Sequence, residues 1–370
     1  MKIVKLTATA IKVPLPRPVK GSTYQYTHVQ AVALEVETDE GVTGCSYVAD
    51  GYDHSAAIVQ FIDGPISDCL SGEDPLATAR CWEKMRVFCR TVNRRGRDDG
   101  LHAQSLVDMA LWDIVGKVAN LPLSKLWGGY CESRPVIAIA GYYVDGKTPE
   151  AYADDAHDLV ERGFAGIKLK VGGLSLKEDV RRVKAVREAG GEAFLLAVDS
   201  NQAWSVAEAA EFAQRTADYD LLWMEEPVHW ENDRTWLAQL RRQINVPLCA
   251  GQSEVSVNGC KELLEAGAID ICNFSATYGG GVTPWLQSAS LAKVFGAQIA
   301  FTGEPQQSIH YMTAFEHGTV IEAFHPDRDP VFYEIVMPPS GIHDGHLAVS
   351  DKPGWGYDLP ADYLNAHRFL

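Results

Sequence analysis

The chain has 370 residues, 46% of them apolar and 22% charged, and carries a formal net charge of −16. That length suggests two domains or one barrel with additions, and the acidic balance excludes a general nucleic-acid binder, which needs a basic face against phosphates. No apolar run approaches the roughly 20 residues of a membrane helix, so neither nucleic acid nor membrane is expected as a partner.

The first stretch, MKIVKLTATAIKVPLP, alternates as a strand does and has no small-residue cleavage site. No signal peptide is therefore expected, and the protein is placed in the cytoplasm. Eight cysteines occur (Cys45, Cys69, Cys81, Cys89, Cys131, Cys249, Cys260 and Cys272), with no CxxC pair. Reduced, buried thiols are the reading, and zinc is disfavoured.

Asp39-Glu40-Gly41 is a turn between the alternating runs HVQAVALEVET and VTGCSYV, which predicts a hairpin. LHAQSLVDMALWDIVGKVANL then repeats its apolar residues at three and four positions, as a core-facing helix requires. From about residue 135 the texture becomes a regular alternation. Candidate strands are 135–141, 165–171, 194–199, 221–225, 247–251, 270–274, 298–301 and 319–323.

Helix signals fall between the strands. Thr148-Pro149 and Thr283-Pro284 each read as a cap followed by a first-turn proline. Ser175 to Glu178 and Ser205 to Glu208 fit capping boxes, and Gly163 and Gly190-Gly191 stand where helices should end. Eight strands spaced by about 25 residues describe a (β/α) barrel with an altered last helix. A doubly wound sheet would show a Gly-rich turn near its first strand, and none appears.

Barrel chemistry sits at the C-terminal strand ends. The second candidate strand, GIKLK, ends in Lys168 and Lys170, whose side chains project to one face. The third ends in Asp199 with Asn201 just beyond; the fourth ends in Glu225-Glu226; the fifth in Gly251-Gln252, with Glu254 close behind. Carboxylates converging from neighbouring strands repel unless a cation lies between them, and oxygen ligands suit Mg²⁺. Taken singly, each acid is equally a solvated loop residue or a helix-cap partner. Two adjacent ammonium groups lower each other's pKa, so the lysine pair reads as a base and its tuner.

These residues resemble the mandelate racemase/muconate lactonizing enzyme family of the enolase superfamily. AQSLVDMALWDIVGK, GIKLK, DSN (199–201), MEEP (224–227) and GGGVTPW (279–285) occur in that family's order. The resemblance spans essentially the whole chain. It implies a modified TIM barrel, (β/α)7β, over residues 126–340. An N-terminal α+β capping domain would cover 1–125, completed by about 340–370. It further implies Mg²⁺, a small-molecule carboxylate substrate, a homo-oligomer, and abstraction of the proton α to the carboxylate. Enolase-type sites pair a Lys or His base with Mg²⁺. By position Asp199 and Glu225 match metal ligands, Lys170 the base, and Glu322 an acid beside the substrate carboxylate. Tyr24, Tyr26 and His28 fall in the loop that closes over substrate. Tyr142 and Tyr143, at the end of the first strand, and Asn201 and Thr302 complete the expected substrate contacts.

Three departures shape the functional expectation. Gln252 stands where the family has a third carboxylate, so weaker metal binding is expected, and Glu254 substitutes only if its loop folds back. Thr302 and Ser275 occupy the places of the second base in the racemase subgroup. Ser275 also replaces the lysine of the lactonizing subgroup. With one secure base, dehydration (β-elimination) of a hydroxy or sugar acid is favoured over racemisation or epimerisation; lactone cycloisomerisation stays open, and a metal-free binding protein is the non-enzymatic alternative. Glu322 ranks first as the acid, ahead of Glu304 and of His310, which a helix could equally bury as a packed residue.

Overall fold

The computed structural model describes residues 1–50, 53–89, 98–325, 333–334 and 341–370; the side chains of Asp50 and Cys89 lie outside the described residues. Strands β1 (Ile3–Lys20), β2 (Gln25–Thr38) and β3 (Thr43–Asp50) form an antiparallel sheet in sequence order. The turn at Asp39–Gly41 does join β2 to β3, in the register expected of a hairpin. Of the helices that follow, α1 (Ser55–Phe61), α2 (Ser67–Leu70) and α4 (Asp99–Ala119) pack on that sheet, while α3 (Thr78–Cys89) and α5 (Leu123–Trp127) pack on α4.

Helix α4 is the long helix read from the apolar periodicity. The Asp98 side chain caps it, accepting from the Leu101 amide at 3.0 Å, and Asn120 ends it in the left-handed region. Almost every side chain along it is buried, because it meets β3, α1 and α3 on one side and the barrel on the other. A polar set makes the second contact specific. Asp108 accepts from the amide and hydroxyl of Thr283, each at 2.8 Å, and Ser105 Oγ accepts from the Gly280 amide at 2.9 Å. Thr283 is therefore not the helix cap that the Thr-Pro pair suggested. The helix begins at Val282, two residues earlier, with Gly281 as its cap, and Thr283 is its bond to α4.

Eight parallel strands follow: β4 (Ser133–Ala140), β5 (Gly166–Lys170), β6 (Leu195–Asp199), β7 (Met224–Glu225), β8 (Leu248–Ala250), β9 (Ile271–Cys272), β10 (Gln298–Ile299) and β11 (Ile321–Phe324). Their order is β10-β9-β8-β7-β6-β5-β4-β11. A bridge from Ile299 to Gly318, with the Thr319 amide donating to the Ile299 carbonyl at 3.0 Å, closes the ring. Helices α6 (Ala153–Glu161), α7 (Leu176–Gly190), α8 (Val206–Arg215), α9 (Asp233–Arg241), α10 (Val257–Glu265), α11 (Val282–Val294) and α12 (Pro305–Ala314) come one after each of the first seven, the (β/α)7β order. Both capping boxes form. Strand β12 (His346–Ala348) pairs antiparallel with the start of β4. Helix α13 (Ala361–His367) lies on β1, where the Phe369 amide donates to the Ala10 carbonyl at 3.1 Å.

Strand periodicity decides what fills the barrel. Ile137, Ala197, Trp223, Cys249, Ile271, Ala300 and Val320 form one apolar layer inside it. Two residues on along each strand, on the same face, stand Ile139, Asp199, Glu225, Gly251, Asn273, Thr302 and Glu322. An apolar floor thus carries a polar layer above it, at the end where barrel chemistry belongs.

His310, on α12, belongs to the packing and not to this layer. It is fully buried, its Nδ1 accepting from the Ser124 amide at 3.2 Å and its Nε2 donating to the Trp355 carbonyl at 3.0 Å. Burial pushes its imidazole down to about 4 from the usual 6.5. Between those values the unfolded chain binds a proton that the folded chain refuses, so His310 withdraws up to about 3 kcal/mol of stability as pH falls from near 6.5 towards 4. The stability advantage of the wild type over His310→Gln should therefore shrink between pH 7.5 and pH 5 in urea unfolding. A constant difference would refute the assignment.

Candidate active site

Lys168 and Lys170 lie on β5 with every residue of GIKLK buried, because Ile167 and Leu169 face the helices while the lysines face the barrel interior. A buried ammonium needs a counter-charge, and both find one. Lys168 Nζ is 2.9 Å from each oxygen of Glu225, 2.7 Å from Glu322 Oε2 and 3.9 Å from Asp199 Oδ2. Lys170 Nζ is 2.5 Å from Asp199 Oδ2. Asp199 and Glu225 are neighbours in the β6–β7 register, which brings their carboxylates to one level.

The electrostatics correct one expectation. Lysine-on-lysine repulsion was expected to lower both pKa values. For Lys168, burial does act downwards, but Glu225, Glu322 and Asp199 outweigh it and hold the ammonium well above its usual value. Burial would likewise raise Asp199, yet Lys170 and Lys168 keep it below the ordinary carboxylate range. Glu225 is pushed up to about 8 by burial, against the pull of Lys168 and with help from the Asp199 and Glu322 charges. Burial also raises Glu322, with Lys168 opposing.

Smaller groups hold these charges in place. The Asn201 amide donates to Asp199 Oδ1 at 2.9 Å and its Nδ2 to Oδ2 at 3.3 Å. Trp223 Nε1 rises from the apolar layer to donate to Glu225 Oε2 at 3.1 Å. Asn273 Nδ2 donates to Glu225 Oε1 at 3.3 Å and to Thr302 Oγ1 at 2.9 Å. Asn273 and Trp223 were missed from sequence. Both were reachable by counting in twos along β9 and β7 from an apolar residue, which places them on the inward face.

Charge is distributed unevenly around the ring. Glu322, Lys168, Lys170, Asp199 and Glu225 come from the contiguous arc β11-β4-β5-β6-β7. In the same layer the remaining arc contributes Gly251-Gln252 from β8, Asn273 from β9 and Thr302 from β10, all neutral, with the buried Glu254 and Glu304 two residues beyond Gln252 and Thr302. Strand β9 stands four places from β5 in the ring, so a neutral wall faces the lysines. Ser275 is fully buried beyond Asn273, and its Oγ has no hydrogen-bond partner among the described residues.

Other expected residues sort clearly. Ser22 Oγ donates to the Ser200 carbonyl at 2.6 Å, docking the first cap loop on the barrel. That brings the Tyr24 ring to 5.9 Å from Lys170 Nζ, with Tyr26 stacked on it at 5.8 Å. The second aromatic neighbour of Lys170 is Tyr142, also at 5.9 Å. Tyr143, expected among the substrate contacts, turns away: its hydroxyl donates to Asp179 Oδ1 at 3.0 Å and accepts from the Gly173 amide at 2.8 Å. The cause is Gly141, at φ +68, which breaks the strand alternation just past β4; a Cβ there would lie 2.1 Å from Leu169 Cδ1.

His28 is spent within the cap, its Nε2 2.9 Å from Asp53 Oδ1. Glu254 does not fold back towards Asp199 and Glu225: its Oε1 meets Arg234 Nη1 at 2.7 Å. Gln252 is half-buried at the mouth, after Gly251. Glu304 lies at the start of α12, its Oε2 3.5 Å from Thr277 Oγ1.

Among the described residues no three His, Cys, Asp or Glu side chains converge as a ready metal cluster. The oxygen donors nevertheless suit a hard cation: two carboxylates on adjacent strands, an amide side chain at Gln252, and the buried oxygens Asn201 Oδ1 and Asn273 Oδ1, which lack hydrogen-bond partners among the described residues.

Comparisons with known proteins agree with this architecture. Residues 4–128 match the mandelate racemase/muconate lactonizing enzyme N-terminal domain, and residues 151–363 match the enolase C-terminal domain-like family. The chain is 29% identical to 3,6-anhydro-α-L-galactonate cycloisomerase of Streptomyces coelicolor, over 98% of each protein. It is 31% identical to arabinonate dehydratase of Saccharolobus solfataricus, over 90% of this chain and 88% of the relative. A crystal structure of a mandelate racemase/muconate lactonizing enzyme from a marine actinobacterium, in complex with magnesium, superposes with a TM-score of 0.92 at 38% identity, over 100% of this chain and 99% of the other. Cap, closed barrel and the β5–β7 lysine and carboxylate ends together make the chain a member of the mandelate racemase/muconate lactonizing enzyme family of the enolase superfamily.

Proposed function

We propose that Lys170 removes the proton α to a substrate carboxylate, and that the reaction is β-elimination of water from a hydroxy or sugar acid. The observation that carries this reading is the neutral wall opposite Lys170. Racemisation needs acid/base groups on both faces of the α-carbon, whereas the layer facing the lysine offers Asn273 and Thr302, neither of which titrates near neutrality.

Asp199 and Glu225, with Gln252, would hold Mg²⁺, the ion bound in the marine actinobacterial relative. Bound there, the cation supplies positive charge to the substrate carboxylate as the carbon acid loses its proton. Lys170 takes that proton at Nζ. The electron pair forms the carbon–carbon double bond as the β-carbon–oxygen bond breaks, and Glu322, with its carboxyl raised by burial, protonates the departing hydroxide. The enol then tautomerises to a 2-keto acid. Lys168 stays an ammonium, paired with Glu225 throughout and balancing Glu322 once that carboxyl has given up its proton. Tyr24 and Tyr142 flank the base and, with the docked first cap loop, exclude water.

Arabinonate dehydratase activity in one relative supports this reading. A second reading, lactone cycloisomerisation, draws support from the 3,6-anhydro-α-L-galactonate cycloisomerase relative; it too proceeds from one base.

Proton NMR in D₂O with Mg²⁺, across hydroxy, sugar and anhydro-sugar acids, should give a 2-keto product from a hydroxy or sugar acid. A ring-opened or rearranged isomer would select the cycloisomerase reading, and epimerisation without elimination would overturn the one-base argument. Lys170→Ala should abolish α-proton exchange and leave Mg²⁺ binding within a few-fold by calorimetry. Exchange persisting in that variant would remove Lys170 as the base. Gln252→Glu adds a third negative charge at the cation and should tighten Mg²⁺ on the order of 10-fold or more; an unaltered isotherm would mean that Gln252 is not a ligand.

A further inference from the structure

We infer that Arg182, on the outer side of the barrel, is a positioning residue that sets where Lys170 and Tyr142 stand. The inference rests on the reading of Lys170 as the base.

Arg182 lies on α7 and is fully buried. A buried guanidinium is costly unless its charge and its N–H groups are matched. Asp179 matches the charge, with Oδ1 2.6 Å from Arg182 Nη1. Both terminal nitrogens also reach backbone, while Nε has no hydrogen-bond partner among the described residues. Nη1 donates to the Lys170 carbonyl at 2.7 Å, and Nη2 donates to the Gly141 carbonyl. The guanidinium also packs against the rings of Tyr143 and Tyr152, at 4.3 and 4.0 Å from their centroids.

These partners extend the grip. Asp179 Oδ2 accepts from the Gly172 amide at 2.7 Å, and Tyr143 Oη accepts from the Gly173 amide at 2.8 Å. Tyr152 Oη donates to the Tyr142 carbonyl at 3.1 Å. One buried hub therefore holds the chain just past β4, at Gly141 and Tyr142, and just past β5, from Lys170 to Gly173.

The two lysines differ in what else holds them. Lys168 is paired on both sides, with Ile139 of β4 and Ala197 of β6. The β4–β5 register stops at Ala140 and Leu169, so Lys170 is paired only with Asp199 of β6. Arg182 supplies the missing side: its fork joins the Lys170 carbonyl to the Gly141 carbonyl where the ladder has ended. The base stands on the last residue of its strand, braced from outside the barrel. Tyr142, one of the two rings beside Lys170 Nζ, is braced by the same group.

The test uses the full-length Mg²⁺-loaded protein with Arg182→Lys, which keeps the charge but not the planar fork, Arg182→Met, and the milder Tyr143→Phe in case the arginine variants do not fold. On an acid that the wild type turns over, kcat per Mg²⁺-binding site should fall on the order of 100-fold in the arginine variants. The fall should be smaller in Tyr143→Phe, and KM should change by no more than a few-fold. Unchanged kcat per Mg²⁺-binding site would reduce the hub to a stability element and overturn the inference.

A second arm needs no substrate. Reductive methylation with formaldehyde and cyanoborohydride, resolved by peptide mass spectrometry, compares Lys170 with Lys168 as an internal reference. The ratio should rise several-fold in the variants, and an unchanged ratio overturns the inference. A changed ratio in a protein that exchanges no α-proton of any acid would sink the base assignment while leaving the positioning intact.

Discussion

The structure depends on one constraint: Lys168, Lys170, Asp199, Glu225 and Glu322 are buried together at the mouth of the barrel, with Glu226 buried beside them, and the ion pairs among the five make that burial tolerable. Glu225 and Glu322 need Lys168 between them; Asp199 needs Lys170; each ammonium, removed from water, needs a carboxylate in return. Such groups come from within two places of one another in the ring: from β5, Lys168 reaches Glu225 on β7 on one side and Glu322 on β11 on the other. The contiguous charged arc from β11 to β7 follows from that requirement. The apolar layer below has a complementary role. Ile137, Ala197, Trp223 and their neighbours exclude water from beneath the cluster, so its charges respond strongly to one another and to whatever binds above them.

The cap is joined to this mouth at two places of different character. Helix α4 is bolted to the barrel by Asp108 and Ser105, whose partners are the amides of the GGGVTPW segment and the hydroxyl of Thr283. These are buried, multiple bonds. The first cap loop is attached more lightly, through the Ser22 hydroxyl on the Ser200 carbonyl and Thr23 Oγ1 on the Asn201 carbonyl. Both carbonyls follow directly after Asp199. The loop that carries Tyr24 thus rests on the backbone beside a carboxylate of the charged cluster. A firmly held helix and a lightly held loop suit a cap that must stay in register yet admit a ligand.

How much of this was legible beforehand follows from how local each signal is. Strand alternation within GIKLK needs only its own residues, and the lysine pair was readable from them. The same holds for the acids at the ends of β6 and β7 and for both capping boxes. What failed was non-local or fell just beyond a strand end. Of the two tyrosines expected at the site only Tyr142 stands beside Lys170, because Gly141 takes a positive φ and ends the two-residue period between Ala140 and the tyrosines. His28 is claimed by Asp53 and Glu254 by Arg234, partners that no spacing announces. Lys168 looked like a base-tuner with one visible neighbour, a lysine. Its three carboxylates arrive from β6, β7 and β11 only when the ring closes.

The uneven ring connects fold to chemistry. Within the polar layer the ionisable side chains lie on one side, because charges that stabilise one another have gathered on one arc. Asn273 and Thr302 complete the other arc by hydrogen bonding to each other and, through Asn273, to Glu225. An amide and a hydroxyl there can fix the orientation of a polar substrate, but neither can deliver or receive a proton at a useful rate near neutral pH. Replacing either with a base would put a new charge into a dry wall with no counter-ion of its own, at a cost the existing cluster is arranged to avoid. In this barrel the rule that makes the lysines tolerable also gathers the charged side chains of this layer on one arc.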